Sequence, residues 1–128
     1  MISRVHHIAL IISDERNLWF YNLLGFKEYF RKERKYDTAL LMEGHGMELE
    51  IFIDPRHPCH PMNSSEETCG LRHFALQISP DTTLEDEMER IKNSTTEVLD
   101  FGPIMNDWTG TRFVFTKDPD GTVIELRE

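Results

Sequence analysis

Two stretches of the chain, about half its length apart, carry one pattern around a histidine. The first reads Val5-His6-His7-Ile8-Ala9-Leu10-Ile11-Ile12-Ser13, and the second Leu71-Arg72-His73-Phe74-Ala75-Leu76-Gln77-Ile78-Ser79. They share His, an apolar residue, Ala-Leu, a variable residue and Ile-Ser. Glutamates recur as well: Leu49-Glu50-Ile51 is echoed by Ile124-Glu125-Leu126. A lone strand histidine is ordinarily a packed structural residue, and a lone strand glutamate is ordinarily solvated. Recurrence at matching places is what sets these four apart. Two histidines and two carboxylates form a mixed nitrogen and oxygen donor set, which suits a divalent first-row ion and leaves positions for water or substrate.

The elements that must position these residues follow from patterning. Alternate strand side chains point to opposite faces. Ile8, Leu10 and Ile12 therefore share an apolar face, and His7, Ala9 and Ile11 the other. Phe74, Leu76 and Ile78 oppose His73, Ala75 and Gln77 in the same way. In the closing strands, Leu49, Ile51 and Ile53 take the apolar face and leave Glu48, Glu50 and Phe52. Ile124 and Leu126 leave Val123, Glu125 and Arg127. Each half thus offers one histidine and one glutamate on one side of its sheet.

Helix signals follow both histidine strands. The first covers about residues 15–24, with Asp14 as N-cap, Gly25 as stop and Trp19, Phe20, Leu23 and Leu24 as its apolar side. The second covers about 83–93, with Thr82 and Glu85 at capping-box spacing and Leu84, Met88 and Ile91 as the buried stripe. Strands are expected near 27–34, 37–43 and 47–53, and again near 97–102, 111–117 and 122–127. Asp118-Pro119-Asp120-Gly121 marks a tight turn. The expected fold class is α+β, with two modules that each run strand–helix–strand–strand–strand. One domain of residues 1–128 would comprise module one (about 2–54), a Pro- and Ser-rich linker (about 55–70) and module two (about 71–128). Such a linker is long for a structureless connection and hints that it covers something.

Bulk properties narrow the function. A net charge of -9 and a pI near 5.1 repel phosphate backbones and anionic lipid, so nucleic acid and membrane are poor partners. No apolar run approaches the roughly 20 residues of a membrane span, and no signal-like h-region opens the chain. Two cysteines, Cys59 and Cys69, make no disulfide scaffold, and a cytoplasmic location is expected. His57, Cys59, His60 and Cys69 imitate a zinc site, but their spacing is irregular. Arg112 and Lys117 could grip an anionic substrate, although an exposed arginine is usually solvated. The basic run 31–35 reads as a solvated hairpin face. Trp108 and Phe113 could line a cavity or pack in the core.

The chain resembles the vicinal oxygen chelate superfamily, which includes glyoxalase I, extradiol dioxygenases, methylmalonyl-CoA epimerase and fosfomycin- and bleomycin-resistance proteins. The marks are Val5 to Leu10 running to Asp14, Phe20-Tyr21-Asn22-Leu23-Leu24-Gly25-Phe26, and Asp118-Pro119-Asp120-Gly121 running to Ile124-Glu125-Leu126. Its overall likeness is to small glyoxalase-like proteins with a Cys-Gly-Leu-Arg-His run, here Cys69 to His73. The resemblance implies two paired βαβββ modules forming a curved mixed sheet around a central metal cavity, helices outside, with a divalent ion (Ni, Zn, Co, Mn or Fe) held by His7, Glu50, His73 and Glu125. Glutamate at position 50 matches the bacterial glyoxalase I pattern, where the epimerase has glutamine and the dioxygenases use no ligand. The glyoxalase pattern also has a first-strand arginine that helps hold glutathione; Ile11 stands there, and Asp54 replaces its asparagine. The implied activity is metal-dependent lyase or isomerase chemistry, a proton transfer next to a carbonyl of a small-molecule substrate. Glu125 would act as base, with Glu50 as its counterpart. The alternatives are an Fe(II)/Mn(II) dioxygenase-like enzyme and a non-catalytic, resistance-type binder. Exposed sheet edges imply a homodimer.

Overall fold

The computed structural model describes residues 1–56 and 69–128. The chain divides into two compact units, Met1–Cys59 and His60–Glu128. Most of the expected linker, with His57, Cys59 and His60, lies outside the described residues; Cys69 is exposed as a free thiol.

In the first unit, β1 (His7–Ile12) is followed by a 3-10 turn (Glu15–Asn17), α1 (Leu18–Leu23), β2 (Lys27–Glu33), β3 (Thr38–Gly44) and β4 (Met47–Ile53). The strands form one sheet in the order β1-β4-β3-β2, with β1 parallel to β4 and the other pairs antiparallel. Leu10, Ile12, Leu40, Met42, Leu49 and Ile51 are buried along with Leu18, Phe20, Tyr21 and Leu24. β2 is an edge strand exposed throughout, and its charged sequence discourages pairing with other chains.

The expected first helix is divided. The Asp14 side chain accepts from Arg16 N, but it caps only the 3-10 turn. The α-helix then buries Leu18, Phe20 and Tyr21, whereas Trp19 and Leu23 are half-buried. Gly25 does end the helix, at φ 94°. A Cβ there would meet His45 Nε2 at 2.8 Å, because His45 packs over the helix end with Nε2 2.6 Å from the Leu24 carbonyl oxygen.

The second unit repeats the plan: β5 (Phe74–Gln77), α2 (Leu84–Asn93), β6 (Asp100–Phe101), β7 (Met105–Asn106), β8 (Arg112–Lys117) and β9 (Val123–Arg127). The main path runs β5-β9-β8-β6, with β7 also pairing to β8. The strand expected at 97–102 is reduced to β6, and a second short strand not expected from the sequence, β7, follows Pro103, which has no N–H to continue the ladder. The α2 N-cap is Thr83, one residue later than expected, accepting from Asp86 N. Leu84 and Ile91 are buried, and Met88 is half-buried. These are two mixed sheets of an α+β protein. Among the described residues no helix is long and apolar enough to cross a membrane.

Candidate metal centre

The register explains how each unit pairs its histidine with its glutamate. In the first sheet Ala9 stands opposite Glu50 on the parallel neighbour strand. His7 is two residues before Ala9 and so shares its face. His7 Nε2 lies 3.7 Å from Glu50 Oε2. The other ring nitrogen, Nδ1, is 2.9 Å from His6 Nδ1, which turns Nε2 toward the carboxylate.

The second sheet has the same diagonal. Ala75 stands opposite Glu125 in a parallel pair. His73 immediately precedes β5 and places Nε2 2.9 Å from Glu125 Oε2. Its ring packs edge-on against Phe115, with centroids 5.0 Å apart, and Phe115 does the same with Phe113 at 5.3 Å. Two donors bound to one ion at about 2.1 Å each are roughly 3.0–3.4 Å apart for angles of 90–110°. Both pairs lie near that spacing, so the donor chemistry and the pair distances fit a divalent metal. Among the described residues no group of three or more His, Cys, Asp or Glu side chains is assembled for an ion. Each unit by itself contributes a pair.

The turn before β9 sets the position of Glu125. Asp118 Oδ1 accepts from Asp120 N at 2.9 Å and Thr122 N at 2.8 Å. Gly121, at φ 88°, closes the turn by donating to the Asp118 carbonyl at 3.0 Å.

The two pairs are not equivalent. The Glu125 side chain is 8% exposed, that of Glu50 32%. Glu125 Oε1 also accepts from Arg127 Nη1 at 3.1 Å, and Arg127 Nη2 donates to Asp107 Oδ2 at 2.5 Å. Asp107 Oδ1 accepts from Thr109 N, Thr109 Oγ1 and Thr111 N at 2.8, 2.7 and 3.0 Å. Hydrogen bonds from Thr109, then from Arg127, hold the Asp107 carboxyl well below the usual carboxylate range. The residue two places beyond Glu50, matching Arg127, is Phe52. The alternation of β9 put Arg127 on the Glu125 face in the sequence; nothing there indicated Asp107.

The sequence model of the glyoxalase/bleomycin resistance protein/dioxygenase superfamily matches residues 4–126. The chain belongs to this superfamily. It is similar to the Bacillus subtilis (strain 168) protein YwkD, at 36% identity over 135 residues, covering 100% of this chain and 98% of that one. A glyoxalase family protein from Enterococcus faecalis has a similar structure, with TM-score 0.79, 30% identity, and 98% and 97% of the two chains covered. The fosfomycin resistance protein FosX of Listeria monocytogenes shares the fold at TM-score 0.72 and 21% identity, covering 99% of this chain and 93% of that one.

The structure also places the other residues singled out in the sequence, including the exposed basic run 31–35. Arg112 is engaged by Glu85 (Nη1–Oε1 2.7 Å) and Glu128 (Nη2–Oε1 2.5 Å), so its grip is structural. In the basic run, Arg31 pairs with Glu28 and Glu15, and Arg34 with Asp37. Trp108 is fully exposed, not core. Ile11 is exposed on the His7 face opposite Phe52. Asp54 is buried and paired with Arg56 at 2.7 Å.

Proposed function

We propose that His7, Glu50, His73 and Glu125 together hold one divalent ion, and that the protein is a glyoxalase I-like lyase or isomerase acting next to a carbonyl. The observation that carries this reading is the shared diagonal: in both sheets a histidine stands two residues before an alanine paired, in parallel register, with the glutamate. The same fold supports a metal elsewhere, since a FosX mutant of 22% identity and TM-score 0.69 is complexed with Mn(II) and 1S,2S-dihydroxypropylphosphonic acid. When bound, the ion supplies Lewis acidity to two neighbouring substrate oxygens.

The chain's own residues divide the remaining work. His7 and His73 offer Nε2 donors, turned into place by His6 and by Phe115. Of the two carboxylates that the resemblance implies as base and counterpart, Glu125 has its Oε1 engaged by Arg127. Glu50 is more exposed and faces His7 at 3.7 Å, so it is the better placed carboxylate to take a proton from a carbon next to the carbonyl. Two carboxylates offset the charge of a divalent ion. Ile11, Phe52, Phe113 and Phe115 present apolar surface on the faces that carry the pairs. This favours a substrate with an apolar group, and it gives the carboxylates of glutathione no cation at position 11.

The test is turnover of adducts between α-ketoaldehydes and different thiols by Glu50→Gln and Glu125→Gln proteins. The Glu50→Gln protein should still bind metal and lose most turnover, and Glu125→Gln should do the same or worse. An active Glu50→Gln protein beside a dead Glu125→Gln protein would replace this reading with the dioxygenase-like one, in which a single carboxylate matters.

A further inference from the structure

We propose that Arg127, anchored by Asp107, is a positioning residue that fixes the orientation of Glu125; the inference rests on the metal-centre reading above. A carboxylate as buried as Glu125 needs partners for both oxygens. Oε2 faces His73 and Oε1 accepts from Arg127 Nη1. The guanidinium's other terminal nitrogen is itself fixed by Asp107 Oδ2. Asp107 in turn is set by three donors from the turn between β7 and β8. A continuous chain of hydrogen bonds therefore runs from a tight turn to Glu125. Only a planar fork can grip two carboxylates at once in this manner; a lysine ammonium is a point charge on a flexible stem.

The first unit supplies the contrast. Glu50 occupies the same register position, yet the residue two places on is Phe52, which has no donor. One carboxylate of the pseudo-symmetric set is thus held by one oxygen, with the other presented toward its histidine. Glu50 accepts no arginine hydrogen bond among the described residues; the Arg34 guanidinium, 5.1 Å from the Phe52 ring centroid, attracts it only electrostatically. The clamp makes Glu125 the fixed member and leaves movement to Glu50.

A simple structural clip would give the same contacts, so the test must separate the two. Asp107→Asn is suited to this. The asparagine oxygen can keep the three turn bonds, which leaves its NH2 group facing the guanidinium and breaks the anchor alone. Arg127→Lys keeps the charge and loses the fork. Co(II) affinity by titration calorimetry and the Co(II) absorption bands are measured for both, for the native protein and for Arg90→Lys, which changes an arginine paired with Glu87 on α2. Metal-free thermal unfolding verifies that each is folded. Removing an outer partner of a ligand ordinarily costs 10–100-fold in affinity. Asp107→Asn and Arg127→Lys should each bind Co(II) about 10-fold more weakly with altered bands, and Arg90→Lys should stay within about twofold of native. Native-like affinity and bands in Arg127→Lys would overturn the positioning role, even if Asp107→Asn failed to fold. A native protein that binds no Co(II) would instead sink the metal-centre reading itself.

Discussion

Replacing Asp118 by alanine tests how Glu125 is placed. The side chain is buried and one of its oxygens, Oδ1, accepts two backbone N–H groups, from Asp120 and Thr122. Hydrogen bonds to a charged acceptor contribute about 1.5–3 kcal/mol, and a buried donor left unmade costs about 1–3 kcal/mol. Thr122 is buried, so its N–H pays near the middle of that range. Asp120 is half-exposed, and water recovers part of its loss. The backbone bonds from Asp118 N to Thr122 O and from Gly121 N to Asp118 O survive. The expected destabilisation is about 2–3 kcal/mol. Asparagine keeps an acceptor oxygen and should lose less. Urea unfolding with linear extrapolation gives the difference directly. A loss below about 1 kcal/mol for Asp118→Ala would refute the view that this carboxylate builds the turn.

Gly25→Ala should destabilise by about 1–3 kcal/mol, since alanine would sit at φ 94° and its Cβ would meet His45; an unchanged melting temperature contradicts the packing described. Acid should weaken the second unit through the Arg112 clamp. Hydrogen bonding to Arg112 holds the Glu85 carboxyl at about 2, against an ordinary 4.5, and also lowers Glu128. A depressed acid stabilises fully above its unfolded value, and that contribution is lost as pH falls through the folded value. The urea midpoint should therefore decline between about pH 4.5 and 2, and less steeply in Arg112→Ala. Equal slopes in the two proteins would rule the clamp out as a source of acid sensitivity.

The repeat was legible because strand alternation is a local rule. Once His7, Ala9 and Ile11 share a face, and Glu50 and Phe52 do likewise, only the pairing register remains to be fixed. The parallel pairing of β1 with β4, repeated by β5 with β9, supplies it. The Asp118–Gly121 turn was readable from residue type alone. The inequality of the two carboxylates was not. Asp107 meets Arg127 only because β7, β8 and β9 lie side by side, and no spacing in the chain encodes that neighbourhood. The pairing of Arg112 was hidden for the same reason: its partners, Glu85 and Glu128, are distant in sequence. The first helix shifted because the Asp14 cap satisfies a tight 3-10 turn, and helical bonding begins only at Leu18.

The central claim is one ion on two histidine–glutamate pairs, and elemental analysis of purified protein tests it most directly. The native chain should carry one equivalent of a divalent first-row metal. His7→Ala and His73→Ala, one in each unit, should each lose stoichiometric metal while retaining a native circular dichroism spectrum. Near-normal metal content in both variants would contradict the account.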